Sequence, residues 1–210
     1  MLSWFFFAAA AVVEVSHPIK AEPKGSPANW VRAADLPKID GRAATTTFDL
    51  TIDQAGHAVH CAVIIASGYD QLDTAVCAAL IKRARFKPAK DIDGTAMAFV
   101  YRDRVVWRPK AYGSNSWFKS PDIVISTPAI SNQFRKIAEI LVVVDKTGDI
   151  NNCFVIDSVQ NGALDALACS AGKDPKISLP IMDAQGSPLR GVRSLYVGFE
   201  PGVAENRYIQ

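Results

Sequence analysis

The sequence has almost no imbalance of charge: 23 Lys and Arg face 21 Asp and Glu across 210 residues, a net charge of +2. That is too mild for a dedicated nucleic-acid binder, which concentrates positive charge in a patch or stripe. Glycine (13) and proline (12) are near average, so collagen-like and long low-complexity architectures are excluded. No nucleophile-elbow G-x-S-x-G, H-E-x-x-H, Walker loop or dinucleotide glycine fingerprint is present. Histidine is scarce. His17 falls in a polar linker, while His57 and His60 flank a predicted hairpin and read as solvated turn residues rather than a catalytic base. Asp91 and Asp93 sit in a turn, where Asp is ordinary turn chemistry. No catalysis and no cofactor are therefore expected. With 49% hydrophobic and 21% charged residues, the chain should build a packed core.

The apolar run from Leu2 to Val13, stopped by Glu14, is shorter than the roughly 20 residues a helix needs to span a bilayer. It fits the apolar region of a secretory signal, although no Lys or Arg precedes it and no A-x-A site follows. A short hydrophobic helix docked on the domain, or a start trimmed from a longer signal or anchor, are the other readings. Export is expected, with membrane association only through this segment if it is not cleaved. Ser16 to Ala28 carries three prolines and a glycine among polar residues and reads as a linker, so residues 1–28 form a leader and spacer.

Four cysteines remain: Cys61, Cys77, Cys153 and Cys169, two pairs of equal spacing offset by 92 positions. The same offset lays Asp53 on Asp145, Gly56 on Gly148, Leu72-Asp73 on Leu164-Asp165, Pro88 on Pro180, Gly94 on Gly186 and Val100 on Val192. No gap is needed, and the chain reads as two copies of a unit of about 70–75 residues. Four cysteines allow three connectivities. The repeat selects one, because each copy must build its own bridge: Cys61–Cys77 and Cys153–Cys169. Units this small are marginal on core burial alone, and disulfides persist in oxidising compartments such as the periplasm. Four free thiols in a cytosolic protein are the alternative. Metal binding is disfavoured, since no C-x-x-C occurs and neither His57 nor His60 has a counterpart in the second copy.

Each unit reads as strand–strand–helix–strand, an α+β fold of antiparallel β-β-α-β type. Thr45 to Asp53 alternates, Gln54 to His57 turns, and Ala58 to Ala66 is the partner strand. A helix capped by Ser67 or Asp70 should run to about Arg85, with Lys82 and Arg85 pointing away from the core. Ala96 to Trp107 forms the third strand. The second copy repeats this with Glu139–Asp145, Asn152–Ile156, a poorer helix opened by Asn161 and ended by about Ala171, and Val192–Phe199. Lys110 to Ser131 is a polar connection that also holds Trp117 and Phe118. The domains are placed at residues 29–110 and 121–202.

From Trp30 to Pro109 the first copy resembles the C-terminal domain of TonB-type energy transducers. The matching features are the Asp53-x-x-Gly56 turn, Cys61-x-Val63, Ser67-Gly68 before Leu72-Asp73, and Arg83-Ala84-Arg85-Phe86-Lys87-Pro88-Ala89. Asp93-Gly94 and the strand closing at Val106-Trp107 complete it. The second copy is degenerate and is identified through the repeat. The resemblance implies a non-catalytic periplasmic protein that binds a peptide or envelope protein, such as an outer-membrane transporter in TonB-dependent transport. The expected mode is strand addition along Ala96–Trp107, with Ala96, Phe99, Val100, Tyr101, Arg102 and Arg104 as the binding residues. One alternative is that the other copy covers this edge; another is a stand-alone structural or dimerising envelope protein with no transporter partner.

Overall fold

The computed structural model describes residues 17–39, 43–107, 120–128, 130, 136–177 and 180–208. The apolar run Leu2–Val13 and the pair Trp117-Phe118 lie outside these residues. In β2 (Ala44–Ile52) the even-numbered residues Thr46, Phe48, Leu50 and Ile52 are all buried, as expected for a strand packed on one face. It pairs antiparallel with β3 (Ala58–Ile65) on one side and β6 (Ala96–Trp107) on the other. Between β3 and β6 stand α1 (Asp70–Arg83) and two short strands, β4 (Phe86–Lys87) and β5 (Ala89–Lys90). The later half has the same order: β8 (Lys136–Val144), β9 (Ile150–Asp157), α2 (Gly162–Gly172), β10 (Ile181–Met182), β11 (Pro188–Leu189) and β12 (Gly191–Pro201).

The pairing registers of the two halves differ by a constant 92 positions. Phe48 opposes Val63 as Ile140 opposes Val155, and Ile52 opposes Phe99 as Val144 opposes Gly191. Both bulges of β2–β3 recur in β8–β9 at the same offset. The hairpin turns agree atom for atom. Asp53 Oδ1 accepts from the Ala55 and His57 amides at 2.9 and 2.8 Å, and Asp145 Oδ1 accepts from those of Thr147 and Asp149 at 2.8 and 3.0 Å. Gly56 (φ +86°) and Gly148 (φ +94°) close these turns in the left-handed region. A Cβ on Gly56 would also lie 2.0 Å from the Phe86 carbonyl oxygen.

Among the described residues a nine-stranded sheet runs through both halves. The order is β3–β2–β6, then β12–β8–β9. β6 and β12 join in parallel over three residues each, Ala98–Val100 against Gly191–Arg193. Gly191 allows this approach, since a Cβ there would come within 2.6 Å of the Ala98 carbonyl oxygen. Further along, β12 is paired by β7 (Ile123–Thr127), also parallel, and β7 is flanked by β13 (Glu205–Tyr208). Leu72, Val76 and Leu80 of α1 pack with Leu50 and Phe99, but also with Leu141, Val143 and Val192. Leu164, Ala168 and Ala171 of α2 pack with Ile140, Val142 and Val197, but also with Ala98 and Val100. Alternate residues of β6, β8 and β12 thus serve different clusters, which puts the two helices on opposite faces of the sheet.

The bridges Cys61–Cys77 and Cys153–Cys169 are both formed, each tying a helix to its hairpin. Several expectations are corrected. The first helix is capped by Tyr69 with no side-chain cap, because the Ser67 hydroxyl accepts from the Tyr69 amide instead. It stops at Arg83, since Arg85 to Lys90 are drawn into extended pairing. The partner in that pairing is the stretch assigned as a linker. Ile19 exchanges two backbone hydrogen bonds with Lys90, β1 (Glu22–Pro23) pairs with β4, and the Lys24 amide donates to Arg85. Proline suits such an edge strand, where its missing N–H is not required. Arg83, at the end of this helix, is an anchor: its Nε donates to the Trp30 carbonyl and its Nη2 to Asp35. Lys110–Ser131, read as a connection, contains buried β7.

Candidate functional site: the outer edge of β6

β6 lies in the middle of the sheet rather than at its rim. Its inner edge is paired by β2 from Phe99 to Trp107. Of its outer edge, Ala98 to Val100 is occupied by β12, so that part of the strand expected to bind a partner is already paired. The covering of this edge by the second half, weighed as an alternative from the sequence, applies to these three residues. Beyond Val100 the strands β6 and β12 diverge, and among the described residues no strand pairs with the outer edge of β6 from Tyr101 to Trp107.

A cluster of charges holds the point of divergence. Arg102 donates through Nε and Nη2 to the two oxygens of Asp49 at 2.6 and 2.9 Å, and through Nη1 to Asp122 at 2.7 Å. Asp122 also accepts from the Tyr196 amide at 2.8 Å, and its own amide donates to the Tyr196 carbonyl at 2.7 Å. Arg193 Nη1 lies 3.3 Å from Asp49. Arg102 of β6 is thereby tied to β2 and to the residue leading into β7. Burial opposes the charge on Arg102, but the Asp49 hydrogen bond and the charges of Asp49 and Asp122 outweigh it and hold the guanidinium above its ordinary pKa. Burial leaves Asp122 above the usual carboxylate value despite Arg102, and pushes Arg193 down despite Asp49.

The sequence-selected residues divide into three groups. Ala96 opposes Lys90 of β5, while Phe99 and Val100 are buried in the two clusters on opposite faces. Tyr101 packs edge-on to Trp30 with ring centroids 5.9 Å apart, and its hydroxyl donates to Asp103 at 2.9 Å. Arg102 belongs to the charged cluster, and Arg104 stands beyond the point of divergence, opposite Thr47 of β2, its amide donating to the Asp103 carboxylate at 2.8 Å. Asp49, Asp122 and Arg193 were not singled out from the sequence. Asp49 carried a signal, a lone acid on the threonine-rich face of a strand, but its partners come from segments 53 and 144 positions away.

The second half is tied in by a further polar contact. Lys20 Nζ donates to both oxygens of Glu139 at 2.8 and 3.0 Å, and the Ser194 hydroxyl donates to the same carboxylate at 2.7 Å. His57 Nδ1 stands 3.5 Å from Asp53 in its turn. Among the described residues no group of three or more His, Cys, Asp and Glu is placed to hold a metal, and no helix is long and apolar enough to cross a membrane.

Residues 37–109 match the family described as the Gram-negative bacterial TonB protein C-terminal. No curated protein and no solved structure matches the chain.

Proposed function

We propose that this protein, whose residues 37–109 match the TonB C-terminal family, works in the periplasm by binding an extended segment of a partner, such as an outer-membrane transporter. The family is one of non-enzymatic envelope domains, and the proposed role is accordingly binding rather than catalysis. The observation that carries the proposal is the divergence of β6 and β12 beyond Val100, past which β12 no longer pairs with the outer edge of β6. Backbone N–H and C=O groups along such an edge accept an added strand, while alternate side chains supply specificity. Tyr101 and Val105 would flank an added strand on the α1 face, and Arg102 and Arg104 on the other.

We further propose that residues 121–202 are a degenerate second copy of the domain at 29–110. The constant register offset and the recurrence of both bulges and both bridges support this. In that view β12 is the counterpart of β6, and it shortens the accessible edge to its distal part. A second reading, a stand-alone structural envelope protein, is favoured by the occupation of Ala98–Val100.

Hydrogen exchange of the full oxidised chain, with and without synthetic peptides copied from periplasmic segments of outer-membrane transporters, separates the two. The binding role predicts slowed exchange within Tyr101–Trp107. Exchange unchanged across the peptide panel favours the structural reading.

A further inference from the structure

The N-terminal arm and the stretch it pairs with form a two-stranded ribbon whose outer side is basic. Burial of Ala84, Phe86 and Ala89 leaves Arg85, Lys87 and Lys90 exposed between them. Lys24 of the arm, also exposed, lies beside Arg85, to whose carbonyl its amide donates at 2.7 Å. Lys82, exposed near the end of α1, adds a fifth cation. Of the acids nearby, Glu22 bonds to Lys87 at 3.0 Å and Asp91 lies 3.6 Å from Arg190, while Asp93 stands in the turn that follows. Five cations thus gather here in a chain whose net charge is only +2, so the remainder carries no positive excess. The later half does not match them: 92 positions on from Lys82, Arg85, Lys87 and Lys90 stand Asp174, Ile177, Leu179 and Met182. Two isoleucines border the cations. Ile19, 40% exposed, pairs with Lys90, and Ile92, 53% exposed, follows two residues later.

Cations interspersed with exposed aliphatic residues suit a surface that lies on an anionic bilayer, where the cations meet lipid phosphates and the apolar groups enter the headgroup boundary. The place of the ribbon in the chain agrees with this. The apolar run ends at Val13 and the arm begins pairing at Ile19, so the two are at most about 21 Å apart along an extended chain. We infer that the ribbon formed by the arm and Arg85–Lys90 is a docking surface for anionic phospholipid headgroups, laying this end of the domain on the bilayer. An acidic protein would answer the cations but not the isoleucines and the apolar run beside them. An apolar element and a basic one acting together give firmer attachment than either alone. Each exposed cation contributes about fivefold to such binding, and salt screens it. The ribbon is separate from the β6 edge, and the inference does not depend on the binding role proposed there.

Co-sedimentation of the full oxidised chain with vesicles of mixed phosphatidylglycerol and phosphatidylcholine, and with vesicles of phosphatidylcholine alone, tests the inference. Wild-type binding should rise with the phosphatidylglycerol fraction and fall as salt is raised from about 0.05 to about 0.5 M. Lys24→Gln/Lys90→Gln should weaken binding to the anionic vesicles about 25-fold, at about fivefold per charge, and leave binding to the neutral ones unchanged. Lys146→Gln/Lys173→Gln removes the same net charge from exposed sites of the later half. It should change binding less than about twofold at about 0.15 M salt, where charges away from the contact are screened. Should the first variant misfold, as judged by its far-UV spectrum, Arg85→Gln/Lys87→Gln takes its place. Wild-type binding indifferent to phosphatidylglycerol or to salt, equal losses from the two lysine pairs, or no loss from either would overturn the inference. Capture of a polyglutamate peptide by a wild-type chain that ignores anionic vesicles would overturn it as well, assigning the ribbon to an acidic protein.

Discussion

Arg102 shows how much a single side chain can carry in this sheet. Its guanidinium spans from Asp49 on β2 to Asp122 beside β7, and the side chains of those acids are 11 and 9% exposed. From the sequence its loss should matter only for steering and rim contacts. The structure assigns it a larger part, because removing one member of a desolvated ionic cluster leaves the others with uncompensated charge. Arg102→Ala should destabilise the protein by about 3 kcal/mol in urea unfolding, the low end of the range for broken buried pairs, since Arg102 itself is 26% exposed. A loss below about 0.5 kcal/mol, typical of surface pairs, would show that the cluster does not hold the divergence of β6 and β12.

The hairpins, helices and bridges are the elements on which the fold rests, and they were the most legible part of the sequence. Strict alternation marked β2, the Asp-x-x-Gly turns marked both hairpins, and equal cysteine spacing marked the bridges. Replacing Cys153 and Cys169 together by alanine should cost about 3 kcal/mol in the chain-entropy account of a loop spanning 16 positions. Hydrogen exchange should then quicken first in α2 and β9, the elements which that bridge joins. A variant with unchanged midpoint and exchange would show the bridge to be dispensable. What the sequence did not reveal were pairings between distant segments. The arm at Ile19–Lys24 reads as a linker because Pro23 and its two lysines are linker-like, yet only extended geometry is needed to lie along Arg85–Lys90. β7 is five residues long, too short for periodicity to stand out within a polar stretch. The parallel contact of β6 with β12 depends on close approach at Gly191, a position that composition does not distinguish.

At the scale of the whole molecule, the two halves share one sheet and exchange core residues across it. Leu141, Val143 and Val192 lie with α1, while Ala98 and Val100 lie with α2. Lys20 bonded to Glu139 adds a strap from the N-terminal arm to the second half. In the proposed binding role, the pairing of β12 with Ala98–Val100 closes that part of β6 to a partner and directs it to the part beyond Val100. Site-specific photocross-linking in intact cells tests that assignment most directly, with a photoreactive residue at Val106 on the outer stretch of β6 and another at Val203, which is 88% exposed. The account predicts an adduct with an outer-membrane transporter from position 106 and none from position 203. Adducts from position 203 alone, or none from either in cells that express the folded protein, would contradict it.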